Sequence, residues 1–233
     1  MSVSKKMNGK IEFLRFFFSV IIVINHSRIF LGDKISPFLG GSLAVEFFFF
    51  VSGYLMMASI EKKNSIGKPE FIGKETACYL SRKWLSVIPE SLISWMIAFA
   101  ITSAATALSI GDMAVLLIDS IWEPLLVSMT GLGKIDMNVV VWYISAMLIC
   151  MAVLYPLLRK HCDITIHLII PLASLLIFGY LYKNYGHPRG PTNWLGLTYK
   201  GVLRAFAEIG IGCLLFICPV QFAEFILRTW VNG

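Results

Sequence analysis

A set of long apolar stretches limits this chain more than any other feature. Six of them, at 11–31, 41–60, 86–108, 138–158, 164–182 and 201–219, are close to or above the roughly 20 residues an α-helix needs to cross a bilayer. They do not alternate polar and apolar residues as barrel strands do, so the expected spans are helical. A soluble core is excluded by amount. Of 233 residues, 57% are hydrophobic and only 15% are charged, against about 25% charged in an average soluble domain. The mean hydropathy of +0.75 agrees. Disorder and a disulfide-stapled secreted scaffold are excluded by the same balance. The expectation is an all-α integral membrane protein, a polytopic bundle of six or seven transmembrane helices forming one domain over 1–233.

The uncertain seventh stretch is 112–130. It is apolar but carries Asp112, Asp119, Glu123 and Pro124, so it reads as a span, a re-entrant piece or a helix in the interface. Orientation follows from basic residues. Lys5, Lys6 and Lys10 precede the first stretch, and Lys62, Lys63, Lys68, Lys74, Arg82 and Lys83 fill 61–85. Only Lys34 lies in 32–40. The N-terminus and 61–85 are therefore expected in the cytosol, with the first stretch an uncleaved signal-anchor because Glu12 and Arg15 interrupt it. Six and seven spans give similar charge asymmetry, which leaves the C-terminal topology open. The net charge of +6 fits cytosolic loops better than nucleic-acid binding. Five cysteines and His161, His167 and His187 show no metal-ligand spacing, so no metal is expected.

Ionisable groups inside a span cost about 2.5–3.5 kcal/mol each on insertion scales and mark functional candidates. In the first stretch, positions 12, 15, 19, 22 and 26 step by three and four and share a helix face. Glu12 is placed to pair with Arg15. His26 is about 16 Å further along the axis than Arg15. The plainer alternative is that Arg15 and His26 snorkel to opposite interfaces. The second stretch enters from the outer side and carries Glu46, about 8 Å inside the boundary, at a depth matching His26. A carboxylate beside an imidazole fixes its tautomer and raises its basicity, as general-base catalysis requires; a structural hydrogen bond between helices is the competing reading. Ser52 lies about 240° around the helix from Glu46, whereas Gly53 is near the same face. A Ser-Gly pair of this kind lets helices approach closely. Arg82 and Lys83 stand at the cytosolic start of the third stretch. They read as positive-inside charge or, with Arg15, as a site for a phosphorylated ligand. Trp142, Tyr143 and Ser145 open the fourth stretch, where an interfacial aromatic belt is the first expectation.

These residues resemble a known family. Ile11-Glu12-Phe13-Leu14-Arg15 followed by His26 is similar to the first-span signature of the acyltransferase-3 family of membrane O-acyltransferases. Val45-Glu46-Phe47-Phe48-Phe49-Phe50-Val51-Ser52-Gly53-Tyr54-Leu55 resembles its second signature position by position. Arg82 to Pro89 and Trp142-Tyr143-Ile144-Ser145 resemble later segments, and Arg204, Glu208, Gly210 and Gly212 more weakly a last one. The resemblance implies acetyl-CoA as acyl donor from the cytosol and a hydroxyl of a cell-surface or lipid-linked polysaccharide as acceptor. It implies a multi-pass protein of the plasma (inner) membrane, with Arg15, Arg82 and Lys83 near the phosphates of coenzyme A. His26 would be the base and Glu46 its orienting acid, with Glu12, Ser52, Gly53, Trp142, Tyr143 and Ser145 close by. The chain is shorter than usual members and is expected to lack the family's last spans. That keeps a second expectation open, a non-catalytic membrane protein related to such an enzyme. A proton-coupled transporter ranks lower, since the fourth and fifth stretches offer no midplane charges.

Overall fold

The computed structural model describes residues 9–26, 41–132, 137–138, 141–187 and 190–231, with the side chains of 26, 41–42 and 219–231 left out. The described residues form eight α-helices: α1 Gly9–His26, α2 Gly41–Asn64, α3 Ile72–Leu85, α4 Ile88–Ala105, α5 Ile110–Ser120, α6 Trp142–Lys160, α7 Cys162–Tyr185 and α8 Lys200–Val231. Among them the only β contact is the bridge between Trp194 and Tyr199. Five segments are long and apolar enough to cross a membrane: Leu43–Asn64, Ile88–Ala105, Trp142–Lys160, Cys162–Tyr185 and Lys200–Cys218. The described part of the first stretch, α1, falls outside that set; its 18 residues carry Lys10, Glu12 and Arg15.

The core is built by α2, α6, α7 and α8. Phe49, Met56 and Ile60 recur at helical spacing on α2 and meet Ala146, Cys150, Met151 and Leu154 of α6 and Ala205, Ile209 and Cys213 of α8. Ile93, Met96, Ile97 and Ile101 of α4 and Leu172, Leu175 and Leu176 of α7 are exposed, the lipid-facing pattern of a bundle without bulk water around it. Contact between α2 and α8 reaches the backbone. A Cβ on Gly53 would lie 2.0 Å from the Ile209 carbonyl oxygen, and one on Gly212 would lie 2.2 Å from that of Phe50. The close approach expected of the Ser-Gly pair is therefore present.

Side-chain contacts also set the direction of the helices. Lys63 at the end of α2 meets Tyr155 near the end of α6, and Ser52 meets Met147 nearer the start, so α2 and α6 run parallel. Glu46 meets Arg204 and Gly53 meets Ile209 and Cys213, so α8 is parallel to both. If 61–85 is cytosolic, α8 runs toward the cytosol too. Two parallel spans also require an odd number of crossings between them. With α4 as one, 112–130 is not a candidate for another among the described residues. It contains α5, 11 residues and about 17 Å long, against a hydrocarbon core of about 30 Å. Its acids serve the loop instead. Asp112 accepts a hydrogen bond from the Ser109 hydroxyl at 2.7 Å, and Glu123, 2% exposed, accepts the backbone N–H groups of Met137 and Asn138, each at 2.7 Å.

Two expectations are corrected. Trp142 is buried, 9% exposed, with its ring edge-on to Phe49 at 6.0 Å, so it belongs to the bundle interior and not to an interfacial belt. Residues 61–85 are more than a loop: α3 lies antiparallel along α6. Tyr79 stacks on Tyr155 with ring centroids 4.2 Å apart, and Glu75 is gripped where three elements meet. Its Oε1 accepts from Tyr155 Oη at 2.6 Å, Lys63 Nζ at 2.9 Å and Arg159 Nε at 3.1 Å. Arg159 also donates to Asn64 Oδ1 and to the Gly67 carbonyl.

Burial opposes the charge on Glu75, but the hydrogen bonds from Tyr155, Lys63 and Arg159 outweigh it and hold its carboxyl at about 2, below the ordinary 4.5. The unfolded chain therefore takes up this proton more readily than the folded one. The clamp contributes fully above about pH 4.5 and is lost as pH falls toward 2. Glu75→Gln is expected to lower stability at pH 7 by about 1–2 kcal/mol and to weaken the loss of stability across that window. Thermal unfolding in detergent measures both; identical acid profiles for the two proteins would refute the role.

Candidate active site

The predicted face of α1 does line a cavity. A space of about 440 Å³ is bounded by Glu12, Arg15, Phe16 and Ser19 of α1, by Phe48 and Ser52 of α2, and by Val87, Tyr143, Ile144 and Met147 across from them. Polar groups come from α1 and from Ser52, and the opposite wall is largely apolar. The Glu12–Arg15 pair forms as expected, Arg15 Nη1 to Glu12 Oε1 at 3.0 Å, with both side chains close to half exposed. The Ser19 hydroxyl donates to the Arg15 carbonyl at 2.8 Å, and that of Ser52 to Met147 Sδ at 3.2 Å. Tyr143 lies between the cavity and the core, within 6.1 Å of the Phe48 ring and 6.4 Å of the Phe49 ring.

Other predicted residues fall elsewhere. Arg82 and Lys83 occupy the last turn of α3. Arg82 Nε donates to the Cys78 carbonyl at 3.1 Å, and Lys83 Nζ sits 5.4 Å from the Tyr79 ring centre. Neither is among the cavity's lining residues; Val87, a turn further on, is. Ser145 is wholly buried and its hydroxyl accepts the backbone N–H of Met129 at 3.0 Å, tying the 128–130 turn to α6. Gly53 faces α8, about 100° around α2 from Ser52.

Glu46 also faces α8. Its Oε1 accepts from Arg204 Nη2 at 2.7 Å, and Arg204 Nε donates to Glu208 Oε1 at 2.6 Å. Arg204 and Glu208 are buried, whereas the Glu46 side chain is 25% exposed. In the sequence, both residues fall only in the weakest segment of the resemblance. The signal available was their spacing, an arginine and an acid at i, i+4 inside an apolar stretch. The predicted pairing of Glu46 with His26 lies outside the described residues, because the His26 side chain is not among them. The register is set by Phe18, whose ring stacks on Phe47 at 4.2 Å. His26 is eight residues, about 12 Å, further along α1 than Phe18. The expected match in depth between Glu46 and the His26 side chain lies outside the described residues as well.

A bundle of long apolar helices, with a half-polar cavity between the first two and the sixth, makes this a multi-pass membrane protein with a site inside it. The family model for the acyltransferase domain of the acyltransferase-3 type matches residues 8–232. The chain belongs to that family and is, in class, a membrane acyltransferase. No curated protein and no solved structure matches it.

Proposed function

We propose that the protein is an O-acetyltransferase of the plasma membrane that moves an acetyl group from cytosolic acetyl-CoA to a hydroxyl of a cell-surface or lipid-linked polysaccharide. The observation that carries this reading is the cavity itself, which Arg15 lines together with Ser52 and Tyr143. Arg15, held by Glu12, is assigned to the phosphate-bearing donor, because a guanidinium forks onto phosphate oxygens. Arg82 and Lys83 attract the same anion from the cytosolic approach. The roughly 16 Å from Arg15 to His26 suits an extended thioester arm.

His26 then takes the proton of the acceptor hydroxyl while its oxygen attacks the thioester carbonyl. The carbon–sulfur bond breaks, and the coenzyme A thiolate leaves and recovers the proton. In this reading Glu46 is the acid that orients His26 and raises its basicity.

Membrane vesicles containing the protein are expected to transfer labelled acetyl from acetyl-CoA to the host glycan fraction. Absence of label, with the protein confirmed in the membrane and several glycan fractions offered, would overturn the reading. Arg15→Ala is expected to raise the KM for acetyl-CoA about ten- to a hundredfold, the equivalent of one charge-assisted hydrogen bond. An unchanged KM would remove Arg15 from the donor site.

A further inference from the structure

Three charged side chains share one small region between α2 and α8: Glu46, Arg204 and Glu208. Adhesion does not require them. Gly53 and Gly212 already bring the two backbones into contact, and a buried ion pair adds little stability over apolar residues of the same size. A single carboxylate would satisfy the charge of Arg204, yet two are present and they bind different nitrogens. Glu208 Oε1 takes Nε and Glu46 Oε1 takes Nη2, which fixes the guanidinium plane at two points. The cluster is also graded in exposure. Glu208 is buried, and among the described residues its Oε2 finds no hydrogen-bond partner. Arg204 is buried as well, and only Glu46 is partly open, at 25%. Orientation therefore passes from the closed end to the open end, and Glu46 is the member free to meet another group.

We propose that Arg204 and Glu208 are positioning residues for Glu46: Glu208 aims Arg204, Arg204 holds one carboxylate oxygen of Glu46, and the partly exposed carboxylate is thereby set for the base assigned to the reaction, His26. The step it serves is that of the acetyltransferase reading, on which this inference rests.

The test uses the full chain in detergent, as wild type, Glu46→Gln, Arg204→Lys and Glu208→Gln, each first checked for wild-type thermal unfolding. The first readout needs no substrate: the rate at which diethylpyrocarbonate modifies His26 at pH 8, followed by mass spectrometry, with exposed His161 and His167 as internal references. A carboxylate behind the imidazole raises its nucleophilicity, so all three variants are expected to slow His26 by about threefold or more, with the references unchanged. The second readout is acetyl transfer. Lysine keeps the charge of Arg204 but cannot fork, so Arg204→Lys is expected to lower kcat about thirtyfold, with KM for acetyl-CoA within about twofold. Glu208→Gln, nearly isosteric, is expected to lower it about tenfold.

Folded Arg204→Lys and Glu208→Gln with wild-type His26 reactivity would overturn the positioning role and leave a packing contact. If Arg204→Lys fails to fold, Glu208→Gln decides. If the wild type transfers no acetyl at all, the acetyltransferase reading falls. The His26 rates then still judge the positioning: a shared slowing supports it, and no change overturns it.

Discussion

His26→Ala is expected to lower acetyl transfer by at least about a hundredfold, the low end of what a general base supplies, while the protein still inserts and folds. The reason is positional. His26 closes α1 on the face whose lower half, at Glu12, Arg15 and Ser19, lines the cavity. The loss should appear in kcat, because Arg15, the residue assigned to the donor, is untouched. Labelled transfer in vesicles, normalised to membrane-inserted protein, measures it. Turnover within a few-fold of wild type would remove His26 from the chemistry.

The second large effect is on the fold. Gly53→Val is expected to prevent α2 and α8 from packing, because even its first carbon would sit 2.0 Å from the Ile209 carbonyl oxygen. That neighbour is backbone and cannot rotate away, so the helices must separate by an ångström or more. The separation would strip contacts from Phe49, Met56, Ile209 and Cys213, all in the core. Losses of about 3 kcal/mol or more follow from overpacking of this kind, and the expected result is aggregated or proteolysed protein. Gly212→Val should behave alike, since its Cβ would meet the Phe50 carbonyl at 2.2 Å. Recovery of folded Gly53→Val in wild-type yield would show that the interface yields more easily than its geometry implies.

Much of this was legible in the residues. The long apolar stretches foretold α2, α4, α6 and α7 to within a few positions, because length and hydropathy dominate insertion, whereas α8 continues well past the predicted end at 219, to Val231. The 12-15-19 face was legible because helical spacing is local, and the Glu12–Arg15 pair is three residues apart. What depended on contacts between distant segments was not legible. Glu46 was assigned to His26 from depth alone, and its partner Arg204 lies 158 residues away. Trp142 looked interfacial because it starts a span, yet Gly201 leaves room for its ring, where a Cβ would come within 2.9 Å. The polar composition of α3 suggested a solvated loop, but its Tyr79 and Glu75 are matched by Tyr155 and Arg159 on α6. Ser145 was grouped with the site by motif, while its hydroxyl serves the Met129 N–H.

The separation of Glu46 from Arg204 has a consequence for how the protein is made. A ribosome adding roughly 5–20 residues per second needs about 8–30 s to cover those 158 residues. During that interval α2 sits in the bilayer with an acid whose arginine has not yet been synthesised, and with a bare glycine where α8 will lie. A carboxylate left alone in a span is unfavourable by a few kcal/mol. The nascent chain thus has to shelter the acid end of α2, within the translocon or against α1, until its last described helix arrives.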